Sequence, residues 1–168
     1  FETEAMFQRI QELYAAIRAG PEPVRRTRTE PMQNGERRVT VEGPGETTFI
    51  QLSYQAPQAT HPDFFPCMVL DSLLSGPSSL NMFGGGISNK TSRLYRALVE
   101  RELAVGIHGG LGATIDPFLY TINLTLRPDR TVAEAIQATD TEIERLQQSA
   151  PGIDELQRAM KQARAIFA

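Results

Sequence analysis

Phe7, Ile10, Leu13, Tyr14 and Ile17 recur at spacings of three and four, which predicts an opening helix. Ala19-Gly20-Pro21-Glu22-Pro23 stops it. The stretch from 20 to 35 has few apolar side chains and carries Arg25, Arg26 and Arg28, the composition of a solvated linker. Val39 and Val41 alternate with polar neighbours, which predicts a short strand up to the turn at Gly43-Pro44-Gly45. A second strand follows, with Ile50, Leu52 and Tyr54 on one face and Phe49, Gln51 and Ser53 on the other. Thr60 and Pro62 then predict a helix start, with an apolar stripe of Phe65, Met68, Val69, Ser72 and Leu73 widened by Leu70 and Leu74.

Residues 75 to 91 are rich in glycine, serine and asparagine, and Leu94, Leu98 and Val99 mark a short helix after them. Val105, Ile107 and Leu111 predict one strand face, with Gly106, His108 and Gly110 opposite. The strongest alternation is Phe118, Tyr120, Ile122, Leu124 and Leu126 against Thr121, Asn123 and Thr125. Asp116-Pro117 between these strands predicts an antiparallel pair. Thr131 and Glu134 form a capping box ahead of Val132, Ile136, Thr139, Ile143 and Leu146. A last helix carries Ile153, Leu156, Met160, Ala163 and Phe167. Strand pairs separated by helices predict an α+β fold: a mostly antiparallel sheet with helices packed on one face. The chain starts and stops inside helical patterns, so the expectation is a piece of a larger protein.

Composition narrows the chemistry. The 168 residues are 40% hydrophobic and 22% charged, near globular averages, with a net charge of −3. That mild acidity argues against a nucleic-acid partner held by phosphate contacts. No apolar run has the length of a membrane segment. Cys67 is the only cysteine, and His61 and His108 are the only histidines, too few and scattered for a structural zinc site. No HxxEH zinc helix occurs, and no serine, cysteine or aspartate has a recognisable nucleophile context. Gly84-Gly85-Gly86-Ile87-Ser88-Asn89-Lys90-Thr91 approaches a phosphate-binding loop, but Asn89 replaces its second glycine and a helix precedes it where a strand is required. His108 reads as a surface residue, His61 as structural, and Cys67 as a buried, inert thiol.

One combination of segments points to a family. His61-Pro62-Asp63 opens a helix running through Val69-Leu70-Asp71-Ser72-Leu73-Leu74. A glycine-containing loop and Ser92-Arg93-Leu94-Tyr95 follow, then Leu103-Ala104 before a strand, and later Ile153-Asp154-Glu155-Leu156 on a helix. This resembles the second-type domain of the pitrilysin/insulinase family of zinc metallopeptidases, which includes the mitochondrial processing peptidase and the core proteins of the cytochrome bc1 complex. On that resemblance residues 36–168 are one processing-peptidase-like domain, incomplete at its C-terminus. Residues 1–35 are the closing helix of a preceding domain plus a linker.

The resemblance implies a non-catalytic domain that binds peptide and closes a chamber. No cofactor is expected in this chain. Zinc is expected in the first-type domain, on the parent protein or a partner subunit, and this chain alone is expected to be inactive. The expected partners are a peptide or protein substrate and the zinc-carrying domain or subunit, with a homodimer as a further option. The sequence leaves the compartment unknown, the cytoplasm and the periplasm both being open. The candidate substrate-binding residues are Gly84, Gly85 and Gly86 of the loop, with Arg93 and Tyr95. Active members carry an arginine and a tyrosine in this domain. The resemblance sets Val99 and Val105 at those positions, with one residue deleted before Leu103. Valine has no donor to offer a developing oxyanion. The alternative reading is therefore an inactive structural or assembly domain, as in the bc1 core proteins.

Overall fold

The central strand of the sheet is the one with the strongest sequence alternation. In a computed structural model, which describes residues 2–24, 31–77 and 90–165, the order is α1 (Thr3–Tyr14), β1 (Phe49–Ala56), α2 (Phe64–Leu74), a π-helical turn (Tyr95–Val99), β2 (Ala104–Leu111), β3 (Phe118–Leu126), α3 (Val132–Gln148) and α4 (Ile153–Ala165). The chain divides into two compact units, Phe1–Arg38 and Val39–Ala168. The first contains α1, which buries none of its residues; Phe7, Leu13 and Ile17 are all exposed.

In the second unit the three strands form an antiparallel sheet in the order β1-β3-β2. β3 lies in the middle, and the inward face of its second half is buried at Ile122, Leu124 and Leu126, while Phe118 at its start stays exposed. Leu74, Leu94, Leu98, Ala104 and Ile107 join them in the main core, with Ile50, Leu52 and Leu146 packed around it. Burying a side chain such as Leu98 contributes about 2 kcal/mol. The fold is thus α+β, with helices against one face of the sheet. Among the described residues no helix is long and apolar enough to cross a membrane.

The predicted strand at Val39 and Val41 does not form. Both valines stay exposed, and no sheet edge pairs with them. Alternation gives a segment the capacity to be a strand, but a strand exists only through its neighbour. Val105 also departs from its predicted face. A register shift between Ala104 and Gly106 makes it the extra residue of a β-bulge, and it turns outward, 64% exposed.

The start of α2 differs as well. Thr60 does not cap it; Asp63 is the N-cap, and its backbone N–H donates to His61 Nδ1 at 3.1 Å. His61 thus shapes the turn before the helix. The register of α2 buries Phe64 and leaves Phe65 exposed. It also buries Asp71, a residue the stripe did not include. The capping box at Thr131 and Glu134 forms as predicted. The buried line of α3 passes through Ala135, Thr139 and Glu142, not through Val132. On α4 the buried residues are Ala159 and Ala163, while Ile153 is exposed. Small side chains on α4 let its backbone pack closely against α2.

Candidate functional site: the helix-free face of the sheet

Every second residue of each strand points away from the helices. Strand pairing assembles these residues into rows. Gln51, Asn123 and His108 form one row, Ser53, Thr121 and Gly110 the next, and Phe49, Thr125 and Gly106 a third. The face carries no carboxylate, lysine or arginine among these positions. Apart from the exposed ring of Phe49, its side chains are amides, hydroxyls and one imidazole, able both to donate and to accept hydrogen bonds. The Gln51 amide donates to Ser53 Oγ at 3.3 Å, and the Asn123 amide to Thr121 Oγ1 at 3.4 Å. Gly110 leaves room beside Thr121, whose Oγ1 would lie 2.7 Å from a Cβ there. At Gly106 an added Cβ would meet open space. The face is therefore lowest along β2, where the β-carbons are missing, and rises toward β1.

The opposite face of β2 is sealed by a buried polar network. Ser75, the C-cap of α2, donates to Asp71 Oδ1 at 2.6 Å, and its hydroxyl lies 2.9 Å from Tyr120 Oη. Asp71 and Ser75 are 2% and 1% exposed. They occupy the space where a side chain on Gly109 would be: a Cβ there would sit 2.0 Å from Ser75 Oγ and 2.3 Å from Asp71 Oδ1. Burial pushes the Tyr120 hydroxyl well above its usual titration range, and the nearby Asp71 charge adds to the shift. The network ties the end of α2 to β2 and β3 and fixes the sheet from behind.

The sequence-predicted residues fall elsewhere. Gly84, Gly85 and Gly86 lie outside the described residues. Arg93 makes a two-bond clamp on Glu155, Nε to Oε1 and Nη2 to Oε2, both 2.8 Å. The clamp joins the segment before the π-helical turn to the first turn of α4. Hydrogen bonding from Arg93 holds the Glu155 carboxyl below the usual range, against the opposing effect of burial. Tyr95 packs, half-buried, against the main core. Neither residue shares the rows of the helix-free face. Val99 closes the π-helical turn and also packs on the core.

Glu102, directly before Leu103-Ala104, has φ +58, the left-handed region that favours glycine. His108 is exposed, and Cys67 is half-buried, its thiol pushed up by burial and then by Asp63. The row Gln51–Asn123–His108 was not foreseen as a unit. Each residue was placed on a polar face, but only the strand register joins them.

A zinc site requires three or four converging ligands. Among the described residues no three His, Cys, Asp or Glu side chains come together in that way.

Fold and site together describe an α+β domain whose described residues bring no metal-binding group together. The profile of the peptidase M16 inactive domain matches residues 1–163. The chain therefore belongs to the M16 family, as its inactive domain. No curated protein matches it significantly. Among solved structures, a protease from Helicobacter pylori superposes over 99% of this chain and 38% of its own, with TM-score 0.75 and 19% identity, a likeness of fold. A provisionally named zinc protease from Bordetella pertussis Tohama I is 29% identical over 69% of this chain and 58% of its own, with TM-score 0.55. The inactive peptidase domain of another such protein, from Bordetella parapertussis, is 26% identical over 72% of this chain and 60% of its own, with TM-score 0.52. The chain thus spans 38% to 60% of the lengths of these relatives.

Proposed function

We propose that this domain forms the non-catalytic wall of a zinc peptidase chamber and contacts the peptide through the helix-free face of its sheet. The observation that carries the reading is the uncharged row Gln51–Asn123–His108, with its neighbours Ser53, Thr121 and Gly110. Such a face offers hydrogen bonds to a peptide backbone without selecting a charge, which suits a surface that handles varied sequences. Zinc and its general base come from the first-type domain, on the parent protein or a partner subunit. The exposed stripe of Phe7, Ile10 and Leu13 on α1, with Ile17 exposed just after it, supports assigning residues 1–35 to the closing helix and linker of a preceding domain.

The test is a photo-crosslinking residue placed at Asn123 in the zinc-carrying assembly and illuminated with a peptide substrate. A peptide adduct is expected. Its absence, when the same probe near the zinc does capture the peptide, overturns the reading.

Val99 and Val105 favour a second reading, an assembly domain that takes no part in proteolysis. They bring no donor to the positions where the family resemblance sets an arginine and a tyrosine. Chelator-sensitive cleavage by the whole protein separates the two: present for a chamber wall, absent for an assembly domain.

A further inference from the structure

His108 is the one titratable side chain at the strand positions of the helix-free face, where it stands exposed beside Asn123. The titratable groups of the elements around it belong to the other side. They are Cys67 and Asp71 on α2, Tyr95 and Arg96 on the π-helical turn, Tyr120 on β3 and Tyr54 on β1. The residues two before and two after His108, on its own face of β2, are Gly106 and Gly110. The imidazole is thus alone along a stretch of about 13 Å of strand.

The two glycines differ in what lies above them. Beside Gly110 the space is taken by Thr121, whose Oγ1 would meet an added Cβ at 2.7 Å. Above Gly106 a Cβ would meet nothing within 4 Å. An open well therefore adjoins His108 on the Gly106 side only. Thr125, the register partner of Gly106, borders it on β3, and Asn123 is the next outward residue of that strand. The well has a hydroxyl, an amide and an imidazole around it, and each can donate a hydrogen bond. The Asn123 amide gives one hydrogen to Thr121 at 3.4 Å, and its NH2 group has a second. No carboxylate stands at the strand positions of the face to compete for these donors.

We propose that the well over Gly106 is a carboxylate subsite, in which His108, Thr125 and Asn123 hold an acidic side chain or the C-terminal carboxylate of the bound peptide. The inference rests on the chamber-wall reading and adds a selectivity to it. At neutral pH the face selects no charge. In mildly acidic water an imidazole takes up a proton, and both of its nitrogens then donate. A glutamate of the peptide, with an ordinary value of about 4.3, is still ionised there. The preference for a carboxylate therefore grows as pH falls, whereas a lysine or arginine in the same place would give a preference constant with pH. The site is open to water, so the gain is modest, about three- to fivefold in affinity.

The experiment is an NMR titration of the chain at about pH 5.5 and about pH 8 with three acetylated heptapeptides of threonine and serine. One has a central glutamate and an amidated end, one a central glutamine and an amidated end, and one a central glutamine and a free C-terminus. The side-chain amide signals of Gln51 and Asn123 report contact with the face, and the ring signals of His108 report contact with the subsite. A carboxylate-bearing peptide is expected to bind about three- to fivefold more tightly than the neutral one at the lower pH, and about equally at the higher. A gain with glutamate alone assigns the subsite to an acidic side chain, and a gain with the free terminus alone assigns it to the chain end. His108→Gln is expected to bring the ratio of affinities to about one at both pH values. Gly106→Val, which fills the well and leaves the imidazole in place, is expected to do the same. Equal affinity for all three peptides at both pH values, with Asn123 still shifted, overturns the subsite and leaves the chamber-wall reading standing. A preference unchanged in both variants also overturns it. Signals of Gln51 and Asn123 that respond to no peptide remove the subsite and the chamber-wall reading together.

Discussion

The two faces of the three-stranded sheet are built from the same strands and obey opposite rules. On the helix side Ile122, Leu124 and Leu126 are buried in a continuous core. The polar groups present there, Asp71, Ser75 and Tyr120, bond to one another. On the other side Gln51, Asn123 and His108 stand in a row with none of the described helices of the second unit over them. A burden of unpaired polar groups would be costly on the first face and is harmless on the second, where water is available. The helix side therefore holds the fold together, while the bare side is free to recognise something. Substitutions on the first should move stability, and substitutions on the second should move binding.

Gly109→Ala gives the largest effect expected. The new methyl would overlap Ser75 Oγ and Asp71 Oδ1, both held in place by their own hydrogen bonds. Relief requires breaking the buried network or moving α2 off the sheet. Overpacking of this kind costs about 3 kcal/mol. Chemical denaturation should show it as a lower midpoint with an unchanged slope. A variant as stable as the parent would mean that the network is loose and the helix side less rigid than its geometry implies.

Arg93→Ala comes next, at about 1.5 kcal/mol, the size expected for hydrogen bonds to a charged group. Its pH dependence identifies the clamp. Arg93 lowers the Glu155 pKa in the folded chain. The clamp's contribution is therefore complete above the carboxylate's unfolded value, about 4.3, and is lost as pH falls through the lower folded value. The gap in melting temperature between parent and variant should be wide at neutral pH and should narrow as pH falls through the lowered Glu155 value. A gap that is constant with pH would assign the loss to packing of the arginine stem instead. The clamp links two family segments far apart in sequence, which gives Arg93 a structural task.

Glu102→Gly is expected to act in the other direction and more weakly. Glu102 holds φ +58, which costs a non-glycine residue about 1 kcal/mol. Glycine removes that strain but gives back part of the gain through a freer unfolded chain. A net stabilisation of about 0.5 kcal/mol should appear as a small rise in melting temperature. A fall would show that the Glu102 side chain makes up for its backbone.

Much of this contrast was legible in the amino-acid sequence. The alternation of Tyr120, Ile122, Leu124 and Leu126 against Thr121, Asn123 and Thr125 marks both faces of β3 without a structure. The α+β class follows from the order of strands and helices, and the family from segments that recur in one order. What was illegible depends on register. Val105 reads as an inward residue until the bulge turns it out, and Asp71, left out of the α2 stripe, is buried where Gly109 leaves a space for it. Val39 and Val41 have the right pattern but no neighbour. Arg93 and Tyr95 stood out through family wording, yet wording does not tell a substrate contact from a clamp or a packing residue. The row on the bare face was missed because its three members come from three strands, and no local spacing connects them.

The smallest effect on stability carries the sharpest test of the comparison. Gln51→Ala and Asn123→Ala remove exposed or half-exposed amides whose side-chain hydrogen bonds, 3.3 and 3.4 Å long, run to neighbours on the same strand. Changes of this kind alter stability by less than about 0.5 kcal/mol. If the bare face binds peptide, the same pair should raise KM for peptide cleavage by the zinc-carrying assembly several-fold. The value of kcat should stay the same, because contacts remote from the reacting bond are made equally before and at the transition state. A fall in kcat with KM unchanged would place these residues close to the chemistry and contradict a non-catalytic wall. An unchanged KM at unchanged stability would leave the face without a peptide and favour the assembly reading. Helix-side variants cannot make this distinction, since any loss of turnover they cause is confounded with loss of the fold.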